Sequence, residues 1–309
     1  MSTFTAMMAH SLDINLEKNT EQMEKLVGWF YSRKLNGHRT LWNGYQLETL
    51  GRYSGPKPVN APDWWLKNLP QGIPLDGELW HETDDTGIVK SICGQGKEKS
   101  LNDSRWNEIQ YKVFGYKPFS CDTISSPELL SSPFFNNENW NKRQIKLFHL
   151  FITNLQNNPV VKYVTQSPVN SIEDIQNAVK LSKSQRWEGL MFANPLSKYE
   201  CKRVRNLLKW KTQYTHEGFV VGEYPGEGKH EGRMGGLIVE LTWDDTIKSV
   251  KGGTPDMIGK QVKFNVGGGF LDTERDNSKT LFPINTQISF SFLGVSPYGV
   301  PISPNAIRE

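Results

Sequence analysis

Residues 28–44 read GWFYSRKLNGHRTLWNG. Aromatic and apolar residues flank Asn36-Gly37, and because both residues tolerate positive φ the pair predicts a tight turn of type I′ or II. Lys34 stands at the edge of that turn. A single lysine ordinarily does no more than solvate a surface, so its weight depends on the rest of the chain. Immediately after it, HRTLWNGYQLETLG (38–51) alternates as a hairpin that turns at Asn43-Gly44. Before it, Asn19 offers an N-cap to a short helical pattern that becomes aromatic and strand-like.

Further along, GPKPVNAP (55–62) reads as a Pro-rich loop and DWWLKNLP (63–70) as a short helix. IPLDGELWHE (73–82) and IQYKVFGYKPF (109–119) alternate like buried strands. Residues 138–157 place apolar side chains at helical spacing, and SIEDIQNAVKLSKS (171–184) opens with a Ser171-x-x-Asp174 capping signature. WEGLMFANP (187–195) and LLKWK (207–211) are again strand-like. From residue 213 the texture changes to short strands divided by Gly-rich turns, as in GFVVGEYPGEGKHEGRMGGLIVEL (218–241) and QVKFNVGGGFLDTERDN (261–277). That spacing predicts a small β-barrel of the oligonucleotide-binding type, with the domain boundary at 212/213.

The bulk figures fit a globular chain: 309 residues, 37% hydrophobic and 22% charged, with a net charge of +3. The charge is uneven. Residues 1–212 carry 27 Lys and Arg against 21 Asp and Glu, whereas 213–309 carry 9 against 12. A polyanion would therefore meet the N-terminal part first. Cys93, Cys121 and Cys201 are odd in number and far apart, which excludes a disulfide framework and a C-x-x-C zinc pattern. There is no basic, apolar leader at the N-terminus and no apolar run of membrane-spanning length, so the expected compartment is the cytoplasm.

Four short blocks follow one another in order: KLNGHR (34–39), LDGELW (75–80), WEGLMFANP (187–195) and LLKWK (207–211). Each alone is weak, but order and spacing together resemble motifs I, III, IV and V of the lysine-dependent nucleotidyltransferases. Within that superfamily the chain is most similar to the minimal two-domain ATP-dependent DNA ligases of bacteria and their viruses. The resemblance implies an α+β fold. A nucleotidyltransferase (adenylation) domain of antiparallel and mixed sheets with flanking helices would span 1–212, and a small OB-fold barrel 213–309. The activity it implies is the sealing of nicked duplex DNA by a monomeric enzyme using ATP and Mg²⁺, with Mn²⁺ able to substitute.

The resemblance also assigns residues. Lys34 is the nucleophile that attacks the α-phosphate of ATP. Its free pKa of about 10.4 must fall by about three pH units, which takes about 4 kcal/mol of differential stabilisation from nearby cations and metal. Lys209 and Lys211, at i and i+2 on one strand face, are suitable cations and would hold the ATP phosphates. Glu188 resembles the carboxylate that positions the metal, with Glu78 beside it in that role. Arg39 and Glu78 correspond to the ribose-holding residues, Phe114 to the aromatic that stacks on adenine, and the backbone of Ser32 and Arg33 to the adenine edge. Taken without the resemblance, Phe114 could equally be a core residue of its strand.

Several positions depart from the family pattern, among them Gly115, which stands where many relatives have an acid after the motif IIIa aromatic. Motif I usually reads K-x-D-G, and this chain has Asn36 for the aspartate. The arginine that binds the 5′-phosphate at the nick is replaced by Leu50, with Arg52 as a candidate substitute on the same strand face. The tail GVPISPNAIRE (299–309) has Ile302 and Ser303 where basic or aromatic residues are usual, leaving Arg308 as its cation. Two other readings stay open at this point: an enzyme that joins RNA ends or RNA to DNA, which shares the motifs, and a non-catalytic nick-binding protein.

Overall fold

A computed structural model of the chain describes residues 6–12, 16, 19–50, 56–121 and 131–307. The chain divides into two compact units, one comprising residues 1–182 and 189–210, the other 183–188 and 211–309.

The first unit is built on two sheets. Its strands are β1 (Met8–Ser11), β2 (Phe30–Lys34), β3 (His38–Trp42), β4 (Leu47–Thr49), β5 (Lys57–Pro58), β6 (Leu75–His81), β7 (Ile109–Gly115), β8 (Val161–Tyr163), β9 (Ser167–Pro168), β10 (Gly189–Ala193) and β11 (Arg203–Lys211). One sheet has the order β1-β11-β10-β2-β9, the other β5-β4-β3-β6-β7-β8. The second sheet is mostly antiparallel, with β8 added parallel to β7. In the first, β10 and β2 run antiparallel and β1 lies parallel to β11. That parallel pairing ties residues 8–11 to the sheet.

Local signals act as the sequence predicts in several places. Asn19 accepts from the Gln22 amide and caps the helix Thr20–Glu24. Ser171 and Asp174 exchange hydrogen bonds ahead of the helix Ile172–Ser184. The β3–β4 hairpin turns at Asn43-Gly44: Asn43 Oδ1 accepts from the Tyr45 and Gln46 amides, and Gly44 takes φ +100°. The core behind the six-stranded sheet joins Leu75, Leu79, Tyr111 and Val113 to Leu147 and Phe151 of the helix Trp140–Asn154. Trp65 and Trp106 pack edge to face at 5.1 Å, and each indole N–H donates to a backbone carbonyl.

The turn that opened the sequence reading is different from its expectation. β2 and β3 do not pair; they belong to different sheets, and Leu35-Asn36-Gly37 is the crossing between them. Neither Asn36 nor Gly37 has positive φ. Glycine is required at 37 for another reason. A Cβ there would stand 2.2 Å from the Leu79 carbonyl oxygen and 2.9 Å from Glu78 Cγ.

The second unit has β12 (Tyr214–Pro225), β13 (Met234–Thr242), β14 (Gln261–Val266), β15 (Gln287–Phe292) and β16 (Asn305–Ala306), in the order β14-β13-β12-β15-β16. Strict alternation sends Val262, Phe264 and Val266 of β14 inward to meet Val239, Leu241, Phe290 and Phe292. Just past β14, Gly268 bridges to Asn305 of β16, so the two outer strands of this sheet approach each other.

Candidate active site

Lys34 is the last residue of β2, opposite Gly189 in the antiparallel register with β10. Its ammonium lies 3.4 Å from the Leu35 carbonyl oxygen. The turn beyond it is pinned at successive groups. The Asn36 amide N–H donates to Asp84 Oδ1 at 3.1 Å, and the Asn36 side-chain amide to the Asp84 carbonyl at 2.8 Å. The Gly37 N–H donates to Glu78 Oε1 at 2.8 Å, and the Gly37 carbonyl accepts from the Thr86 hydroxyl at 2.9 Å. A turn fixed in this way gives the lysine stem a defined origin, as an orientation-dependent reaction requires.

Around this turn the first unit gathers most of the residues expected from the sequence. Ser32 is buried in mid-β2, opposite Met191. The Arg33 guanidinium pairs with Asp84 at 3.3 Å and lies over the Trp80 ring at 5.3 Å. Arg39 and Glu78 face each other across β3 and β6. Arg39 binds the Asp76 carboxylate at two points and donates to the Met7 carbonyl at 2.8 Å. Its guanidinium also lies 5.4 Å from the centre of the Phe114 ring. Phe114 is half-buried and packs against the cluster of Leu35, Trp80 and Val164. Lys209 is half-buried near the end of β11, opposite Ser11 of β1.

In the second unit Glu188 and Lys211 form an ion pair at 3.7 Å, and the Glu188 carbonyl accepts from the Thr212 amide at 3.0 Å. Arg52 and Arg308 lie outside the described residues. Leu50 packs against the cluster of Met7, Leu41 and Val204.

Sequence reasoning passed over several residues. Asp84 joins the turn to Arg33 and Trp80, and its backbone takes φ +56°. Asp76 and Tyr199 complete the Arg39 network, with the Tyr199 hydroxyl donating to Asp76 Oδ2 at 2.8 Å. Lys112 lies over Trp80 at 4.6 Å; burial, then the charges of Arg33 and Lys162, lower its pKa. The signal for Lys112 was its i, i+2 spacing from Phe114 on one strand. Asp84 had none, since HETDDTG reads as an ordinary polar turn.

The chemistry of this set suits a polyphosphate nucleotide. Arg33 and Lys112 supply positive charge beside the aromatic wall of Trp80. Among the described residues, no three His, Cys, Asp or Glu side chains stand together as a metal cage. A Mg²⁺ ion commonly needs only one or two carboxylates, because substrate phosphates complete its shell, and the residues present fit that mode.

Residues 225–309 match the DNA ligase OB-like domain family. A DNA ligase of Haemophilus influenzae is 27% identical over 293 residues, covering 94% of this chain and 90% of that one. The structure of a Lig E DNA ligase, described as binding DNA with a minimal scaffold, superposes with a TM-score of 0.68 at 23% identity, covering 97% of this chain and 98% of the other. A Chlorella virus DNA ligase-adenylate gives 0.50 at 18% identity, covering 99% and 98%. The resemblance carried by the motifs therefore extends over nearly the whole chain, and the α+β class with an OB-like second unit is borne out. No helix among the described residues is long and apolar enough to cross a membrane.

Proposed function

We infer that this chain, an ATP-dependent DNA ligase, seals nicks in duplex DNA by way of a covalent lysyl-AMP at Lys34. The observation that carries the reading is the convergence on one turn. Asn36-Gly37, one residue beyond Lys34, is held by Glu78, Asp84 and Thr86, with Arg39 and Phe114 on the strands beside it.

The Lys34 amine attacks the α-phosphate of ATP; an N–P bond forms and the bond to pyrophosphate breaks. The nick's 5′-phosphate then takes the AMP and releases the lysine. The 3′-hydroxyl displaces AMP and closes the strand. Phe114 stacks on adenine and Arg33 lines its edge, with the backbone of Ser32. Arg39 and Glu78 hold the ribose side. Lys209 and Lys211 bind the phosphates. Bound Mg²⁺ supplies charge neutralisation on the phosphates, and Glu188 and Glu78 are the carboxylates proposed to hold it or its waters. On the DNA, phosphate contacts dominate affinity, so sealing falls steeply with salt.

Intact mass spectrometry after incubation with ATP and Mg²⁺, beside Lys34→Ala, tests this. The expected result is a gain of one AMP in the wild type, absent from the variant and discharged by nicked duplex. Absence of any gain, with pyrophosphatase present and pre-adenylated protein excluded, would overturn the reading.

A further inference from the structure

Asn36 stands where the family motif has an aspartate, and its contacts suit an amide and not a carboxylate. The Asn36 side-chain amide donates to the backbone carbonyl of Asp84 at 2.8 Å. A carbonyl oxygen can only accept, so whatever faces it must donate. An aspartate cannot. Placed at 36 it would set a carboxylate oxygen against the carbonyl, beside a second carboxylate.

That second carboxylate is Asp84 itself. Its side chain is only 8% exposed and its Oδ1 accepts from the Asn36 amide at 3.1 Å and from Trp80 Nε1 at 2.7 Å. The Arg33 guanidinium stands 3.3 Å away and balances its charge. The left-handed backbone at Asp84, φ +56°, lets one residue turn both its carboxylate and its carbonyl toward position 36. Aspartate is among the few residue types that adopt this conformation readily. Residue 84 thus supplies two acceptors and residue 36 two donors.

We propose that Asn36 and Asp84 form a matched latch that positions the turn carrying Lys34, with the negative charge at 84 and the donor at 36. Both are positioning residues: they act on Lys34 through the backbone between them. Asn36 is then required in this chain, and restoring the family's aspartate impairs it. The inference rests on Lys34 being the adenylated residue for its kinetic consequence, whereas the latch itself is a matter of folding.

The test uses the full chain with Asn36→Asp and Asn36→Ala, followed by single-turnover self-adenylation and thermal melting. N36D should slow adenylation at saturating ATP by about tenfold, as expected for a mismatched, partly buried hydrogen bond beside a carboxylate, with little change in the ATP concentration at half-saturation. N36A should also be slower than wild type, and should melt above N36D because it adds no repulsion. N36D failing to fold while N36A folds would decide the melting order in the same sense. N36D adenylating as fast as wild type, N36A adenylating as fast as wild type, or N36D melting above N36A would each overturn the latch. Wild type that takes up no AMP would sink the ligase reading instead, and the melting order would still test the latch.

Discussion

Arg39 and Asp76 form a two-point pair in which Nε donates to Oδ1 at 3.0 Å and Nη2 to Oδ2 at 2.7 Å. Asp76 is buried and also accepts from the Tyr199 hydroxyl, whose own ionisation is pushed far up by burial and by that carboxylate. Removing one partner of such a pair leaves a desolvated charge. Asp76→Ala should therefore destabilise the first unit by about 3–5 kcal/mol, read as a fall in the denaturation midpoint. An unchanged midpoint would mean that Arg39 finds another anion.

Gly37 is defined by space and not by backbone freedom. Gly37→Ala must push the Leu79 carbonyl aside, and overpacking of this kind costs about 1–3 kcal/mol. Urea unfolding should show a lower midpoint with an unchanged slope. Self-adenylation should slow as well, because the displaced carbonyl lies beside Glu78.

His38 gives a pH dependence. Burial, and then the charge of Lys90, hold its pKa below the usual histidine value. The unfolded chain takes up a proton near pH ~6.5, while the folded chain resists protonation until lower pH. Stability is therefore lost as pH falls through that window, and the slope is positive with rising pH. Melting temperature measured between about pH 7 and about pH 5 should fall less in His38→Gln than in wild type.

Phe114 is proposed to stack on the base. Phe114→Leu keeps an apolar side chain but removes the aromatic face. The KM for ATP should rise about three- to tenfold, with the adenylation rate at saturating ATP close to that of wild type. A loss confined to the rate would place the ring's role elsewhere.

Much of this was legible in the chain because local signals decide local structure. The Asn43-Gly44 hairpin, the Asn19 and Ser171 caps and the alternation in 75–81 and 109–115 each act within a few residues. What was not legible depends on partners far along the chain. Asn36-Gly37 looks the same as Asn43-Gly44 in sequence, yet one is a sheet-to-sheet crossing and the other a hairpin. The difference lies in Glu78 and Leu79 of β6 and Asp84 just beyond it, which meet the first pair from more than forty residues along the chain. Asp76 was hidden for a similar reason, since its partners Arg39 and Tyr199 come from opposite ends of the first unit.

The pairing of β2 has a consequence for the order of synthesis. The six-stranded sheet draws only on residues 38–163 and can close as soon as they emerge. β2 must wait: its neighbours β9 and β10 begin at Ser167 and Gly189, and β1 finds its partner only from Arg203 onward. At ordinary translation rates that delay is on the order of ten to thirty seconds. Until Ser167 emerges the strand that ends in Lys34 has no sheet partner, and its edge toward β10 stays open until Gly189 follows. The sheet bearing Lys34 is thus the last part of the first unit to assemble. Chains arrested before residue 167 should hold a formed six-stranded sheet and an exposed, protease-sensitive lysine strand.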